Sequence, residues 1–122
     1  MDFNHASELS AAVRAGDAER AKRAIAGGAE VDARGEVGET ALMWAVGKAN
    51  RDCMRLLLDA GADANAKDFF GMTPAMWATR FGSRDSFFID ILVEAGADLR
   101  ATDAMRRTAA THAKVGGLPE IS

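Results

Sequence analysis

The sequence predicts an all-α solenoid of stacked repeats, and two internal periodicities predict it. Thr40-Ala41-Leu42-Met43-Trp44-Ala45 returns 33 residues later as Thr73-Pro74-Ala75-Met76-Trp77-Ala78. Gly28-Ala29-Glu30, Gly61-Ala62-Asp63 and Gly96-Ala97-Asp98 recur at spacings of 33 and then 35 residues. A unit this short cannot close a core of its own, so each must bury its apolar face against the next. Arrays of this kind present an extended surface, and the expected work of such a surface is to hold a partner.

The period divides the chain into units 2–34, 35–67, 68–102 and a partial unit 103–122. The sixth position of each is a hydroxyl residue: Ser7, Thr40, Thr73 and Thr108. Serine and threonine oxygens accept a hydrogen bond from an orphan amide of the first helical turn, so a short helix is predicted from each. Pro74 follows Thr73 at a position where a missing amide proton does no harm. These helices are expected to run to about Gly16, Ala49, Gly82 and Gly116-Gly117. A second helix is predicted in the first three units, carried by rows such as Leu56-Leu57-Leu58 and Ile91-Leu92-Val93. Gly61 and Gly96 close these rows as residues free to take a positive φ. The polar stretch that follows, such as Ala64-Asn65-Ala66-Lys67-Asp68-Phe69-Phe70-Gly71, is rich in turn formers and predicts a protruding finger.

The ends of the stack read differently. Arg20-Ala21 and Arg23-Ala24-Ile25 replace the apolar rows of later units, which gives the first outer helix a wet face. In the fourth unit, Leu118-Pro119-Glu120-Ile121-Ser122 stands where a second helix should be, so its neighbour's apolar row needs the tail or another molecule to cover it. The third unit carries two extra residues within Gly82–Phe88. They lengthen the turn between its helices or add part of a turn to the second helix, with Phe87 and Phe88 expected to tuck toward the convex-side core.

Composition excludes several classes. The 122 residues carry 15 basic and 18 acidic side chains, for a net charge of −3. A nucleic-acid or membrane-surface binder normally carries a basic excess, so neither is expected as a partner. No apolar run reaches the roughly 18 residues of a membrane span. The opening Met1-Asp2-Phe3-Asn4-His5 lacks the basic and apolar regions of a secretory signal, and a cytoplasmic location is expected. The single cysteine, Cys53, allows no intramolecular disulfide and no cysteine-based metal cage.

The repeated residues closely resemble the ankyrin repeat, with its 33-residue period and T-P-L-H-x-A core. Gly38-Glu39-Thr40-Ala41-Leu42-Met43-Trp44-Ala45 and Gly71-Met72-Thr73-Pro74-Ala75-Met76-Trp77-Ala78 carry the likeness in the middle units. This sequence departs from the pattern in placing Met43, Met76 and Thr111 where the family commonly has histidine. Arg106 also replaces the finger glycine of the fourth unit. The resemblance implies helix-turn-helix units with finger turns, protein–protein interaction, and no particular partner. It also matches Asn65 to an asparagine that some eukaryotic ankyrin repeats present for hydroxylation, although a turn former explains Asn65 equally well.

Chemistry finds little support. Cys53 falls on the second helix one turn before Leu56-Leu57, which reads as a buried structural thiol. His5, in the first finger, and His112, on the fourth short helix, lie too far apart in the stack to cooperate, and both read as surface or packing residues. Neither has a second ligand at metal-binding spacing, and no glycine-rich phosphate loop is present. The reading is a non-enzyme without metal or cofactor. Trp44 and Trp77, at one register, are expected to pack between units with their indole nitrogens reaching rim acceptors.

The third finger carries the partner-binding prediction. Phe69, Phe70 and Met72 occupy turn positions expected to face solvent, and Arg80 with Phe81 ends the adjacent short helix. Exposed aromatics beside arginine are the composition of interface hot spots. Val37 and Met105 are the equivalent tip residues, and Glu36, Glu39, Lys48 and Arg107 are expected to tune the rim. The partner is expected to be another protein, met by the finger tips and the concave short-helix face. The chain is expected to be a monomer, with self-association through the incomplete last unit as the exception. The alternatives are a dedicated inhibitor or immunity-type protein that occludes an enzyme or toxin, and a structural fragment of a longer array.

Overall fold

The computed structural model describes residues 5–82 and 85–115, with residues 5–7 and 113–115 described by their backbone alone. The described residues form helices and turns and contain no strand. In chain order the helices are α1 (His5–Arg14), α2 (Ala18–Ala26), α3 (Ala41–Gly47), α4 (Arg51–Asp59), α5 (Pro74–Phe81), α6 (Phe87–Glu94) and α7 (Ala109–Val115).

Local chemistry starts most of these helices. Thr40, Thr73 and Thr108 accept hydrogen bonds from the amides of Met43, Met76 and Thr111, at 3.3–3.4 Å. The outer helices α2 and α4 are capped by Asp17 and Asn50, whose side chains accept from the amides of Arg20 and Cys53 at 3.0 and 2.9 Å. One start differs from expectation: α1 begins at His5, two residues before Ser7, so His5 belongs to a helix and not to a finger. Gly28, Gly61 and Gly96 end the outer helices with φ of 105°, 94° and 97°, as the repeat requires.

Packing follows the repeat. α1 packs on α2, α3 on α4 and α5 on α6, while α1, α3, α5 and α7 touch in series and α2 meets α4. Leu9 and Val13, Leu42 and Val46, Met54 and Leu57, and Met76, Phe88 and Leu92 fill the space between the helix rows. Burying a side chain of this kind contributes roughly 1.5–3 kcal/mol, and small residues such as Ala12, Ala21, Ala45 and Ala75 let the backbones approach. Cys53 lies in this core, its thiol pushed above its ordinary range chiefly by burial.

Residues 82–86 separate α5 from α6, where only 48–50 separate α3 from α4, so the two extra residues fall between the helices and not in the second one. Arg51 of α4 pairs with Asp85 and lies 4.1 Å over the ring of Phe87, which ties the longer turn to its neighbour. Phe88 is buried and Phe87 half-buried beneath Arg51 and Arg55. The predicted covering of the last apolar row by Leu118 and Ile121 falls outside the described residues.

Candidate functional site

Each described finger is built on the same frame. The amides of Gly35, Asp68 and Asp103 donate to the carbonyls of Glu39, Met72 and Arg107 at 2.8–3.0 Å, closing a tight turn. In the third finger Asp68 Oδ1 accepts from the amides of Phe70 and Met72, both at 2.9 Å. In the fourth, Asp103 Oδ1 accepts from Met105 at 2.8 Å and Arg107 at 2.9 Å. The second finger has glycine at this position. There the Glu39 carboxylate folds into the space beside Gly35 and accepts from the Val37 amide at 3.3 Å. Adjacent fingers are joined to one another, Phe69 N–H donating to Val37 O at 2.9 Å and Ala104 N–H to Phe70 O at 2.8 Å. The fingers therefore form one hydrogen-bonded sheet of turns.

The other oxygen of each aspartate ties its finger to the following short helix. Trp77 Nε1 donates to Asp68 Oδ2 at 3.0 Å. His112, at the same register one unit on, is fully buried with Nε2 2.8 Å from Asp103 Oδ2. Arg80 Nη1 approaches His112 Nδ1 to 3.5 Å, so Nδ1 faces a donor and Nε2 carries the proton given to Asp103. Arg107 Nε donates to the same carboxylate at 2.8 Å. Burial by itself would raise the pKa of Asp103, but the donors of Arg107, His112 and Met105 outweigh it and hold the carboxyl far below its ordinary range. Trp44 has no such acceptor, because residue 35 is glycine, and its buried Nε1 is unpartnered. The expectation of two rim-bonded indoles thus holds for Trp77 and fails for Trp44.

The tips are apolar and exposed: Phe69 at 70%, Phe70 at 59%, Met105 at 73% and Val37 at 40%. Because the fingers are bonded side by side, these residues make one strip. Met72 and Glu39 do not belong to it. They are 8% and 6% exposed, which corrects their expected solvent-facing placement. Both precede a helix-capping threonine, where an apolar side chain such as Met72 turns inward to fix the entry of the chain. For Met72 that position was the signal available in the sequence. Glu39 turns in for another reason, to fill the space beside Gly35. Arg107 is half-buried against Asp103, so it is a structural partner of the finger and not a rim charge. Glu36 and Lys48 are exposed, as expected of rim residues.

Below the tips, Trp44, Gly47, Lys48, Trp77 and Phe81 line an open groove of about 360 Å³. The Trp44 and Trp77 ring centroids are 5.2 Å apart at 68°, and those of Trp77 and Phe81 are 5.1 Å apart at 67°. Edge-to-face contacts of this kind fix the rings in one arrangement. Phe81 remains 53% exposed to solvent. Arg14, which sequence reasoning missed, stacks 4.5 Å over Trp44, and the half-buried Arg80 lies 6.0 Å from the Phe81 centroid. No helix among the described residues is long and apolar enough to cross a membrane. The described residues hold no cluster of three or more His, Cys, Asp or Glu side chains suited to a metal ion.

Comparison with protein-family profiles matches residues 9–103 to ankyrin repeats, in 3 copies. The chain belongs to the ankyrin repeat family. No curated protein matches it. Ankyrin repeats are in general protein–protein interaction modules, and no catalytic family matches this one. Positions 68 and 103 face positions 77 and 112, and Gly35 and Trp44 stand at the same register one unit earlier. Asn65 bridges two ankyrin turns, Nδ2 donating to Gly96 O at 2.9 Å and Oδ1 accepting from the Asp98 amide at 2.8 Å. Its structural work is thus the joining of successive units.

Proposed function

We propose that the chain, as one stack of units 2–34, 35–67, 68–102 and 103–122, binds another protein through its finger tips and short-helix face, without catalysis and in the cytoplasm. The observation that carries this reading is the apolar strip of Val37, Phe69, Phe70 and Met105, exposed on fingers that are hydrogen-bonded to one another. A contiguous apolar patch on a rigid frame marks an interaction surface, because desolvating it is favourable and little freedom is lost on binding. Phe81, Lys48 and Arg80 extend the surface onto the short helices, and Glu36 is its exposed acidic rim.

The test is a Phe69→Ser/Phe70→Ser double variant, assayed by titration calorimetry against the protein captured by the intact chain, beside a thermal melt. Affinity is expected to fall by about 2 kcal/mol or more, roughly thirtyfold, with the melt unchanged. Full affinity in a stable double variant overturns the finger-centred reading.

A further inference from the structure

We infer that the partner segment bound by this face is an acidic peptide carrying one apolar side chain, seated with that side chain in the groove between Trp44, Trp77 and Phe81. The inference rests on the reading of this face as a protein-binding surface and adds the chemistry of what it holds. The groove supplies the apolar half of the argument. Its walls are indole and phenyl rings, and Gly47 leaves the space beside them bare, since a Cβ there would fall 3.1 Å from Trp77 Cε3. A volume of about 360 Å³ lies at the small end of ligand sites, roughly 300–1,000 Å³. That suits one side chain of a peptide better than a whole cofactor.

Charge supplies the other half. Lys48 lines the groove, Arg14 lies over Trp44 and Arg80 stands beside Phe81, so cations bracket the aromatic walls. Arg106 adds an exposed cation on the last described finger. Among the described inner-helix and finger residues (8–14, 33–48, 66–82 and 101–112), Glu36 is the only exposed carboxylate; Glu8 is half-buried and paired with Arg20, and Glu39, Asp68 and Asp103 are buried. The exposed acidic residues lie instead on the outer helices and the turns beyond them, among them Asp52, Asp59, Asp63, Asp90, Glu94 and Asp98. A chain of net charge −3 therefore presents a cationic binding face. Complementarity of potential then selects an acidic segment and speeds its encounter. Single-stranded nucleic acid, the other common polyanion, stacks its bases on open aromatic faces. In the groove the rings meet edge to face and Arg14 covers Trp44, which leaves no parallel platform there.

The probe is a displayed library of random linear peptides, selected on the intact chain, with oligo(dT) as the competing polyanion. Retained peptides are expected to be rich in Asp and Glu around a single Leu, Phe or Trp. A synthetic copy of one is expected to bind about tenfold or more weakly to Lys48→Glu and to Phe81→Ala, and more weakly in high salt. Melts of both variants identify any loss of folding, and Lys48→Gln serves if Lys48→Glu is unstable. Retention of basic or neutral peptides, retention of none, affinity untouched in both variants, or oligo(dT) binding as tightly as the peptides would each overturn the inference. If the captured partner is lost by Phe69→Ser/Phe70→Ser but kept by the groove variants, the protein-binding face stands and the acidic-peptide inference falls. If neither set of variants affects the captured partner, the broader reading falls as well.

Discussion

Glu39 stands in for the aspartate that Gly35 lacks. A Cβ built on Gly35 would fall 2.1 Å from Glu39 Oε1, in the place that the Asp68 and Asp103 side chains fill in the next fingers. The substitution is incomplete. Glu39 satisfies the Val37 amide, yet Trp44 Nε1 is left buried without an acceptor.

The first prediction repairs that defect. Gly35→Asp combined with Glu39→Met gives the second finger the base residues of the third, Asp68 and Met72, and offers Trp44 Nε1 a carboxylate. Stability is expected to rise by about 1 kcal/mol or more, read as a higher urea midpoint at unchanged slope. An unchanged or lower midpoint would show that the indole nitrogen is satisfied by water.

Paired Trp→Phe variants test the same relationship from the other side. Trp77→Phe leaves Asp68 Oδ2 without its donor and is expected to destabilise by about 1–3 kcal/mol. Trp44→Phe removes a donor that has no partner, so it should cost about 1 kcal/mol less than Trp77→Phe. Equal losses in chemical denaturation would remove the distinction between the two indoles.

Rim charge and buried charge should now separate. Glu36→Lys, at an exposed tip, is expected to leave the melt unchanged and to raise the association rate of an acidic partner. Glu39→Lys places a cation at the base of a finger and is expected to cost about 1–3 kcal/mol of stability. Stopped-flow association and thermal melts distinguish the two outcomes. A stable Glu39→Lys variant would return Glu39 to the surface.

Acid should loosen the last described finger. The folded pKa of Asp103 is depressed, so its stabilisation is complete above the ordinary aspartate value of about 4. As pH falls below that value the unfolded chain binds a proton that the folded chain refuses, and this contribution is lost progressively toward the folded pKa. Asp103→Asn should be less stable than the parent at neutral pH and should lose less stability between about pH 5 and 2. Parallel acid-unfolding slopes in the two proteins would contradict the network of Arg107, His112 and Asp103.

Arg106 provides a test of backbone strain. It takes φ of +60° where Gly38 and Gly71 take +80° and +78° in the preceding fingers. A side chain in that region costs roughly 1–2 kcal/mol, partly offset by the greater freedom of glycine in the unfolded chain. Arg106→Gly is therefore expected to stabilise the fold slightly, by under about 1 kcal/mol, while removing one cation from the binding face. A clear loss in the melt would mean that the arginine side chain holds the finger in place.

The sequence by itself determined the stack, because the repeat is a property of spacing along one dimension. Thr40, Thr73 and Thr108 mark helix starts through bonds made within a single turn, and Gly61 and Gly96 mark ends through their own φ. The exposed tips Phe69, Phe70 and Met105 were legible for the same reason: the turn that carries them is local. The burial of Met72 had a local signal too, in its place just before the cap Thr73. Tertiary structure decided the burial of Glu39, whose carboxylate folds into the space that Gly35 leaves at the finger base. It also decided the groove, whose walls come from Trp44 of one unit and Trp77 and Phe81 of the next. Charge followed the same division. The total of −3 is a sum over residues, but the cationic face exists because folding buries Glu39, Asp68 and Asp103 while leaving Arg14, Lys48 and Arg80 beside the aromatic rings.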